Sequence, residues 1–150
     1  MINVLDGHWS NWSGSQQSSP QIIQPISLEA LQCVVRTHPK IRTVGAGHSF
    51  SALAKTNELL VNLDHFRGIA AHDDTLCQST IYAGTRLFRL GDKLSVFNQA
   101  LINQGDIDRQ SLAGAVATGT HGTGTDLGCL SAYIKGFELV ILYGEALWCD

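Results

Sequence analysis

A short β-branched run that breaks into a glycine-containing loop narrows the possible folds of this chain. Residues 41–51 read IRTVGAGHSFS, so a strand-like segment reaches Gly45 and Gly47 and continues into a polar loop with a histidine. Glycine can take positive φ values and lets a bulky ligand approach the backbone, and the N–H groups of such a loop can point at an anion. The pattern therefore suggests a phosphate-binding loop, although Gly-x-Gly after a strand is by itself often only a tight turn.

The segment before this loop predicts a parallel βαβ unit. A short apolar strand at residues 22–25 ends at a proline, and Ser27 is a suitable N-cap for the helix that follows it. Apolar residues recur along one face of that helix, which ends by Pro39, and the strand at residues 41–44 comes next. A strand, a helix and a strand within about 25 residues are typical of parallel pairing, because the crossover needs a helix. The glycine loop then lies at the carboxyl end of a strand, where open α/β sheets bind ligands.

The rest of the chain predicts further strands and one helix. An apolar run at residues 59–63 suits a strand that is buried on both faces. Residues 69–83 predict two strands around a polar turn, and the apolar spacing over residues 86–99 predicts a helix. Residues 137–142 and 146–149 predict a terminal hairpin. We therefore expect an α+β fold, in which a small parallel sheet is followed by a mostly antiparallel sheet with helices.

Composition and charge exclude several classes of partner. The chain of 150 residues is 44% hydrophobic and 15% charged, with a formal net charge of −3 and a pI near 6.0. Such a chain offers no basic patch for nucleic acid or for an anionic membrane surface. No apolar run approaches the roughly 20 residues of a membrane span, and the polar N-terminal sequence has no signal-peptide core, which favours a cytoplasmic protein.

Metal binding and disulfide chemistry are not indicated by the polar residues. The four cysteines are far apart and form no Cys-x-x-Cys pair, so we expect reduced thiols and no zinc site. Asp106 and Asp108 could form a carboxylate pair for acid–base chemistry, but a turn-forming or N-capping role is favoured. Four histidines show no ligand spacing and are expected to be surface or capping residues. They are His8, His38, His65 and His72.

A second glycine-rich stretch strengthens the case for a ligand. Residues 111–124 read SLAGAVATGTHGTG and consist almost entirely of small residues. Such a segment brings the backbone close to a ligand, as a flat aromatic ring or a diphosphate requires, and its N–H groups can donate to phosphate or carbonyl oxygens. Close packing of a helix on a sheet is the alternative interpretation, which the threonines disfavour. Neither glycine stretch has the Rossmann G-x-G-x-x-G pattern, and the P-loop sequence does not occur.

Three motifs in register resemble one family of flavoproteins. They are GAGHSFS at residues 45–51, QGDID at residues 104–108 and the second glycine-rich stretch at residues 111–124. In this order and spacing they resemble the flavin domain of the vanillyl-alcohol-oxidase superfamily, also called the PCMH-type FAD-binding domain. The resemblance extends from Asn11-Trp12 to the end of the chain and includes the strand at residues 137–140. The branch that it resembles most contains the sugar-lactone and alditol oxidases.

The resemblance implies a set of FAD-binding residues. Residues 43–49 would cradle the FAD diphosphate, and His48 matches a histidine that many members bond covalently to the 8α-methyl group of the flavin. The alternative for His48 is a hydrogen-bonded loop histidine beside a dissociable FAD. Ser111 matches a serine near the reactive edge of the flavin that also contacts substrate, whereas His121 could face the flavin or only brace its loop. The implied cofactor-binding residues are Thr43, Val44, Gly45, Ala46, Gly47, His48, Ser49, Ser111, Val116, Gly119, Thr120, His121 and Gly122.

The resemblance also implies an activity. Such an enzyme removes a hydride from a carbon that bears a hydroxyl group, on an aldonolactone or an alditol, and delivers it to flavin N5. Molecular oxygen would then reoxidise the flavin and yield hydrogen peroxide. Two alternatives remain open: a dehydrogenase on the same scaffold that passes electrons to a cytochrome or a quinone, and a non-catalytic flavin-binding module.

The resemblance gives an expected domain organisation as well. We expect an N-terminal arm at residues 1–20, whose tryptophans pack on the domain, and an FAD-binding domain at residues 21–150. That domain would have subdomains at residues 21–68 and 69–150, with FAD between them. Members of this family are several hundred residues long, and their following cap domain supplies most of the catalytic side chains. We therefore expect this chain to be the flavin portion of a longer oxidase, with no catalytic residue assigned beyond the substrate contact of Ser111.

Overall fold

The computed structural model describes the backbone of residues 2–150 and the side chains from Gly7 onward. The chain forms two compact units: the first combines the chain up to His65 with residues Lys135–Asp150, and the second is Phe66–Ile134. The sequence-based division instead falls between residues 68 and 69 and assigns the terminal hairpin to the second part. The hairpin belongs to the first unit because its turn packs on a helix of that unit. The predicted division into an arm and two subdomains of an FAD-binding domain stays a prediction.

Short strands and short helices alternate along the described residues. The strands are β1 (Ile2–Asp6), β2 (Trp9–Ser10), β3 (Gln17–Ser18), β4 (Gln21–Pro25), β5 (Ile41–Val44), β6 (Leu59–Asn62), β7 (Ile69–Asp73), β8 (Gln78–Ile81), β9 (Phe137–Val140) and β10 (Ala146–Cys149). The α-helices are α1 (Leu28–Thr37), α2 (Leu90–Ser95) and α3 (Leu112–Ala117). Single 3₁₀ turns lie at Ala52–Ala54, Leu87–Arg89, Leu130–Tyr133 and Leu142–Gly144.

The first unit is built on a four-stranded sheet in the order β1-β4-β6-β5. Strands β4, β6 and β5 are parallel, which confirms the predicted parallel sheet, whereas β1 pairs antiparallel with β4. Strand β6 lies between β4 and β5, so the β4-α1-β5 crossover spans one intervening strand. The central position of β6 explains its apolar run, because Leu59, Leu60 and Val61 are all buried.

Residues that were expected to form an extended arm contribute to this sheet and to a small hairpin. Strand β1 covers the edge of β4, and β2 pairs antiparallel with β3. Pairing at the edge satisfies the backbone N–H and C=O groups that an open β4 would present to solvent. The β2–β3 hairpin places Asn11 and Trp12 at a fixed position in the first unit, and both residues matter for the site described below.

Helix α1 begins and ends where the sequence predicts. The Ser27 side chain accepts a hydrogen bond from the Ala30 N–H at 3.2 Å, which caps the first turn, and the His38 N–H donates to the Val34 carbonyl at the last turn. Ala30 and Val34 are buried, and Val34 packs with Ile23 in the core of the first unit. The helix thus gains its stability from one apolar face and one side-chain cap.

We expect replacement of Ser27 by alanine to destabilise the first unit by about 1 kcal/mol, because the first turn of α1 loses its side-chain cap. Urea unfolding followed by tryptophan fluorescence reports on this unit, since Trp9, Trp12 and Trp148 all lie in it. The pKa of Glu29 is lowered by hydrogen bonds from the backbone N–H of Glu29 and from the Ser27 side chain. The ionised Glu29 carboxylate therefore stabilises the folded first unit at neutral pH, and this stabilisation is lost as the pH falls through the lowered pKa. Ser19→Ala is the matched control, and an equal effect of both variants would contradict the capping role.

The second unit contains the β7–β8 hairpin and two short helices. The helix predicted over residues 86–99 is shorter in the structure, where the 3₁₀ turn at Leu87–Arg89 leads into α2. It ends early because the Phe97 N–H bonds the Leu94 carbonyl and Asn98 takes a positive φ of 54°. The predicted apolar face is correct. Its residues Leu87, Leu90 and Leu94 are buried and form a cluster with Ala115 and Leu130.

The antiparallel strands form separate hairpins, not the single sheet that the sequence suggests. Strands β7 and β8 pair in the second unit, and β9 pairs with β10 in the first. The turn of the terminal hairpin has two successive positive φ values, 75° at Tyr143 and 76° at Gly144. Gly144 is buried against the Gln32 carbonyl of α1, and a side chain there would overlap that oxygen. This contact explains why the hairpin packs with the first unit.

Candidate functional site

The loop that follows β5 presents unpaired N–H groups. Gly47 has a φ of 68°, a value that glycine adopts without strain. In the part of the chain that the structure describes, no protein acceptor bonds the N–H groups of residues 46–49. The loop lies at the carboxyl end of a parallel strand, as predicted. Four consecutive donors without protein partners suit the oxygens of a diphosphate, so the loop fits the group that the sequence suggests.

The carbonyl groups of the same loop are held by two residues of the β2–β3 connection. The Trp12 backbone N–H donates to the Gly47 carbonyl at 3.0 Å, and the Trp12 Nε1–H donates to the His48 carbonyl at 3.1 Å. The Asn11 side-chain amide donates to the Ser49 carbonyl at 3.0 Å. Three successive carbonyls are therefore anchored to the dipeptide Asn11-Trp12, which leaves the loop's N–H groups for a ligand.

Asn11 is itself fixed by its own turn. It is 3% exposed, and its Oδ1 accepts from the Gln16 N–H at 3.0 Å while its Nδ2 also donates to Ser15 Oγ at 3.1 Å. Its carbonyl accepts from the Gly14 N–H at 3.0 Å. A buried amide with this many partners makes a rigid base, because breaking any one bond leaves a desolvated polar atom.

The His48 ring is held by aromatic stacking. Its centroid lies 5.6 Å from that of Trp12 with an interplanar angle of 15°, and Phe50 meets the Trp12 ring edge-on at 5.5 Å. His48 is partly buried, and neither of its ring nitrogens bonds to another described residue. Neither Trp12 nor Asn11 is among the predicted cofactor-binding residues, although both hold the loop that carries His48. The Asn-Trp pair at the start of the family resemblance was the signal that could have identified them.

The predicted residues of β5 differ in what they can contribute. Thr43 is exposed, whereas Val44 is buried, so only the backbone of Val44 could contact a ligand. Gly45 and Ala46 are partly buried at the start of the loop. Ser49 is exposed, and its hydroxyl lies 2.8 Å from that of Ser51.

Ser111 lies at a well-anchored position of the second unit. It forms a bridge with Arg86 and precedes α3, whose first N–H, that of Leu112, donates to the Thr85 carbonyl at 2.8 Å. Ser111 is 3% exposed in this chain. Val116, predicted to contact the cofactor, packs against the apolar cluster of this unit. Both roles stay predictions.

The loop at residues 119–122 combines a left-handed glycine with close packing. Gly119 has a φ of 66°. Thr120 makes two hydrogen bonds: its carbonyl accepts from the Leu130 N–H at 2.8 Å, and its hydroxyl accepts from Gln110 Nε2 at 3.0 Å. A side chain at Gly122 would overlap the Gln104 carbonyl and the side chain of Asn103. Close packing against residues 103–104, which form a loop and not the helix-on-sheet contact of the alternative interpretation, accounts for the glycine at position 122.

His121 is exposed, and its Nδ1 lies 2.9 Å from the Gly122 carbonyl. This contact supports the bracing interpretation of the histidine. The N–H groups of His121, Gly122 and Thr123 have no acceptor among the described residues. These N–H groups are available to a ligand, whereas the N–H groups of Gly119 and Thr120, which were also predicted as donors, bond the carbonyls of Val116 and Ala115.

The other polar candidates either make local contacts or are exposed. The Asp108 carbonyl accepts from the Phe88 N–H at 2.9 Å, and its carboxylate pairs with Arg109 at 3.3 Å. His38 caps α1 through its ring contact with the Val34 carbonyl at 3.0 Å, and His72 contacts both Ser79 and Asp74. Asp106 is exposed. His8 and His65 are exposed as well.

The described residues form neither a metal-binding cluster nor a membrane-spanning helix. Among residues 7–150, no three His, Cys, Asp or Glu side chains converge as metal ligands. Over residues 2–150, no helix has the length and apolar character needed to cross a bilayer. The cysteines Cys33, Cys77, Cys129 and Cys149 are free thiols, and a hydrogen bond with the Ser131 hydroxyl lowers the pKa of Cys129.

Two curated relatives are named as sugar-lactone enzymes. The chain is 38% identical to L-gulono-1,4-lactone dehydrogenase of Mycobacterium tuberculosis over 144 residues, which cover 93% of this chain and 34% of that protein. It is 37% identical to D-arabinono-1,4-lactone oxidase of Candida albicans over 160 residues, covering 94% of this chain and 29% of that protein. The chain thus spans 34% or less of the length of these relatives.

Solved structures of larger oxidases contain the same fold. Glucooligosaccharide oxidase from Acremonium strictum, described with a 6-S-cysteinyl, 8α-N1-histidyl FAD, matches with a TM-score of 0.83 at 21% identity, over 94% of this chain and 31% of that one. Cholesterol oxidase from B. sterolicum matches with a TM-score of 0.81 at 20% identity, over 98% and 32%. These matches confirm the expected PCMH-type FAD-binding fold. The family model described as FAD binding domain matches residues 20–150, so the chain belongs to that family.

Proposed function

We propose that this chain is the FAD-binding part of an oxidoreductase that oxidises the CH–OH group of an aldonolactone, with an alditol as the alternative substrate. The observation that carries this proposal is the 38% identity to a lactone dehydrogenase across 93% of the chain. The loop after β5, with its unpaired N–H groups at residues 46–49, supports the cofactor part of the proposal.

When bound, FAD supplies a hydride acceptor at N5 for the carbon that bears the substrate hydroxyl. The residues of this chain would bind and orient the cofactor. Donors of the first glycine loop would bind the diphosphate, and backbone donors of the second stretch, at residues 121–123, would bind further cofactor oxygens. Ser111 would lie near the reactive edge and contact substrate.

We further propose that His48 tethers the cofactor covalently. A ring nitrogen of His48 would bond to the 8α-carbon, while one hydrogen leaves the imidazole N–H and one leaves the methyl group. Molecular oxygen would take up the two hydrogens and two electrons that are released and would be reduced to hydrogen peroxide. Support comes from the ring nitrogens of His48, neither of which is engaged by another described residue.

The electron acceptor that reoxidises the flavin during turnover also has two alternatives. Curated relatives of similar identity include both a lactone oxidase and a lactone dehydrogenase. We propose molecular oxygen as the acceptor, with a cytochrome or a quinone as the alternative. A flavin-binding module without catalysis is a third outcome of the experiment below, because the chain spans 34% of the dehydrogenase.

We expect the protein expressed from its complete gene to carry FAD and to be bleached anaerobically by L-gulono-1,4-lactone or D-arabinono-1,4-lactone. An alditol such as xylitol and a lactone without hydroxyl groups serve as comparison compounds. Rapid return of the flavin colour in air, with hydrogen peroxide formed, supports an oxidase. Slow return that cytochrome c accelerates supports a dehydrogenase. Bound flavin that none of the polyhydroxylated compounds reduces would contradict the catalytic proposal, and absence of flavin would contradict it altogether.

A further inference from the structure

We propose that Trp12 is the positioning residue for His48, and that it holds the imidazole ring by stacking so that both ring nitrogens stay available to the flavin. This inference rests on the proposed covalent role of His48. Trp12 itself would contact neither the reacting carbon nor the transferred hydrogens. It would act through the plane in which it holds the imidazole.

The His48 ring is held without a hydrogen bond from another described residue to either ring nitrogen. His38, His72 and His121 each have a ring nitrogen in a hydrogen-bond contact with a neighbouring group. His48 has no such contact within the described chain, although it is partly buried. Its ring is instead parallel to the Trp12 indole, at 5.6 Å and 15°. Stacking orients an imidazole without engaging the lone pair that a nucleophile needs.

Hydrogen bonds fix the Trp12 indole against the loop. Trp12 makes two hydrogen bonds to the very loop that carries the histidine: its backbone N–H bonds the Gly47 carbonyl, and its Nε1–H bonds the His48 carbonyl. The preceding residue, Asn11, is buried and bonds the Ser49 carbonyl. The indole and the backbone of His48 are thus held together as one body, and the imidazole has only its side-chain torsions left to fix.

Core burial does not explain the tryptophan at position 12. Its residue surface is 58% exposed, and the indole has ring contacts with His48 and Phe50. A tryptophan kept for stability would bury most of its surface. An exposed indole stacked on a candidate nucleophile is better explained by orientation of that nucleophile.

Stacking on Trp12 would increase the rate at which His48 bonds to the flavin. Bond formation requires a ring nitrogen to approach the 8α-carbon in line, and small errors in placement cost large factors in rate. A stacked indole restricts rotation of the imidazole and leaves its edge open. Without the indole, the imidazole would sample several rotamers, and only some of them would place a nitrogen toward the flavin.

Two substitutions at Trp12 separate stacking from other roles, and each is made in the complete protein. Trp12→Phe keeps an aromatic ring and loses the Nε1 donor, whereas Trp12→Leu keeps apolar volume and loses the ring. Trp148→Leu is the matched control, because Trp148 is 63% exposed and lies in the same unit. The readouts are the rate at which added FAD becomes acid-stable, the dissociation constant for FAD, and the NMR shifts of the His48 ring protons in the apoprotein.

We expect Trp12→Leu to slow covalent attachment by about 10- to 100-fold, while the FAD dissociation constant changes by no more than about threefold. The ring-current shift of the His48 protons should disappear in Trp12→Leu and persist in Trp12→Phe, which should attach FAD at close to the normal rate. Trp148→Leu should match the unsubstituted protein.

Two different results would overturn the inference. Attachment at the normal rate in Trp12→Leu would show that His48 needs no stacking partner. Parallel loss of FAD binding and attachment would assign Trp12 a structural role. If the unsubstituted protein forms no acid-stable flavin, the covalent role of His48 fails first and the positioning role fails with it, so the two failures are distinguishable.

Discussion

Replacing His48 by alanine yields a protein that binds FAD but releases all of it on acid denaturation. The expected loss is complete, because no other described side chain of the loop after β5 offers a ring nitrogen as nucleophile. Binding itself should persist, since the N–H groups of residues 46–49 belong to the backbone and remain in place. The measurement is the fraction of flavin that stays with the acid-precipitated protein.

His121→Ala is the matched control for this result. Its ring lies in an exposed loop and contacts the Gly122 carbonyl, so we expect acid-stable flavin to remain after its removal. Acid-stable flavin in His48→Ala would identify another tether, and its loss only in His121→Ala would transfer the role to that residue. Mass spectrometry of the flavin-bearing peptide distinguishes these results.

Replacing Gly144 by alanine should destabilise the first unit by about 3 kcal/mol, the largest effect on stability that we expect. A positive φ costs an alanine about 1 to 2 kcal/mol, and overpacking adds a further cost of about 1 to 3 kcal/mol. The overlap would be with the Gln32 carbonyl of α1, which cannot move without disturbing the helix. Because all three tryptophans lie in this unit, urea unfolding monitored by fluorescence measures the change.

Gly14→Ala separates the two contributions. Gly14 has a φ of 72°, close to the 76° of Gly144, but no atom would lie within 4 Å of an added Cβ. We therefore expect only the conformational cost, about 1 kcal/mol. Equal destabilisation by the two substitutions would show that the hairpin turn does not pack tightly on α1.

Local signals account for the parts of the fold that were predicted well. The N-cap at Ser27, the stop before Pro39 and the apolar face of α1 all depend on residues within a few positions of one another. The same holds for the strand at residues 41–44 and for the glycine loop after it, which both lie where expected. In these segments, backbone propensity and the tertiary structure agree.

Helix length in the second unit shows where local signals were insufficient. The apolar spacing over residues 86–99 identified the buried face correctly but not the extent of the helix. Its last predicted residues form a turn that ends at Asn98 with a positive φ. Apolar spacing reports which side chains are buried, and it does not report where the backbone leaves the helix.

The candidate site divides in the same way. The amino-acid sequence alone predicted which segments would carry the cofactor chemistry, because glycine content, the position of His48 and the order of the motifs are all properties of the chain. Only the tertiary structure decided how the loop is held. Asn11 and Trp12 bond carbonyls of residues 47–49 that are 35 to 38 positions away, and Trp12 stacks on His48. Such contacts depend on the pairing of distant strands, which brings residues together regardless of their separation in sequence.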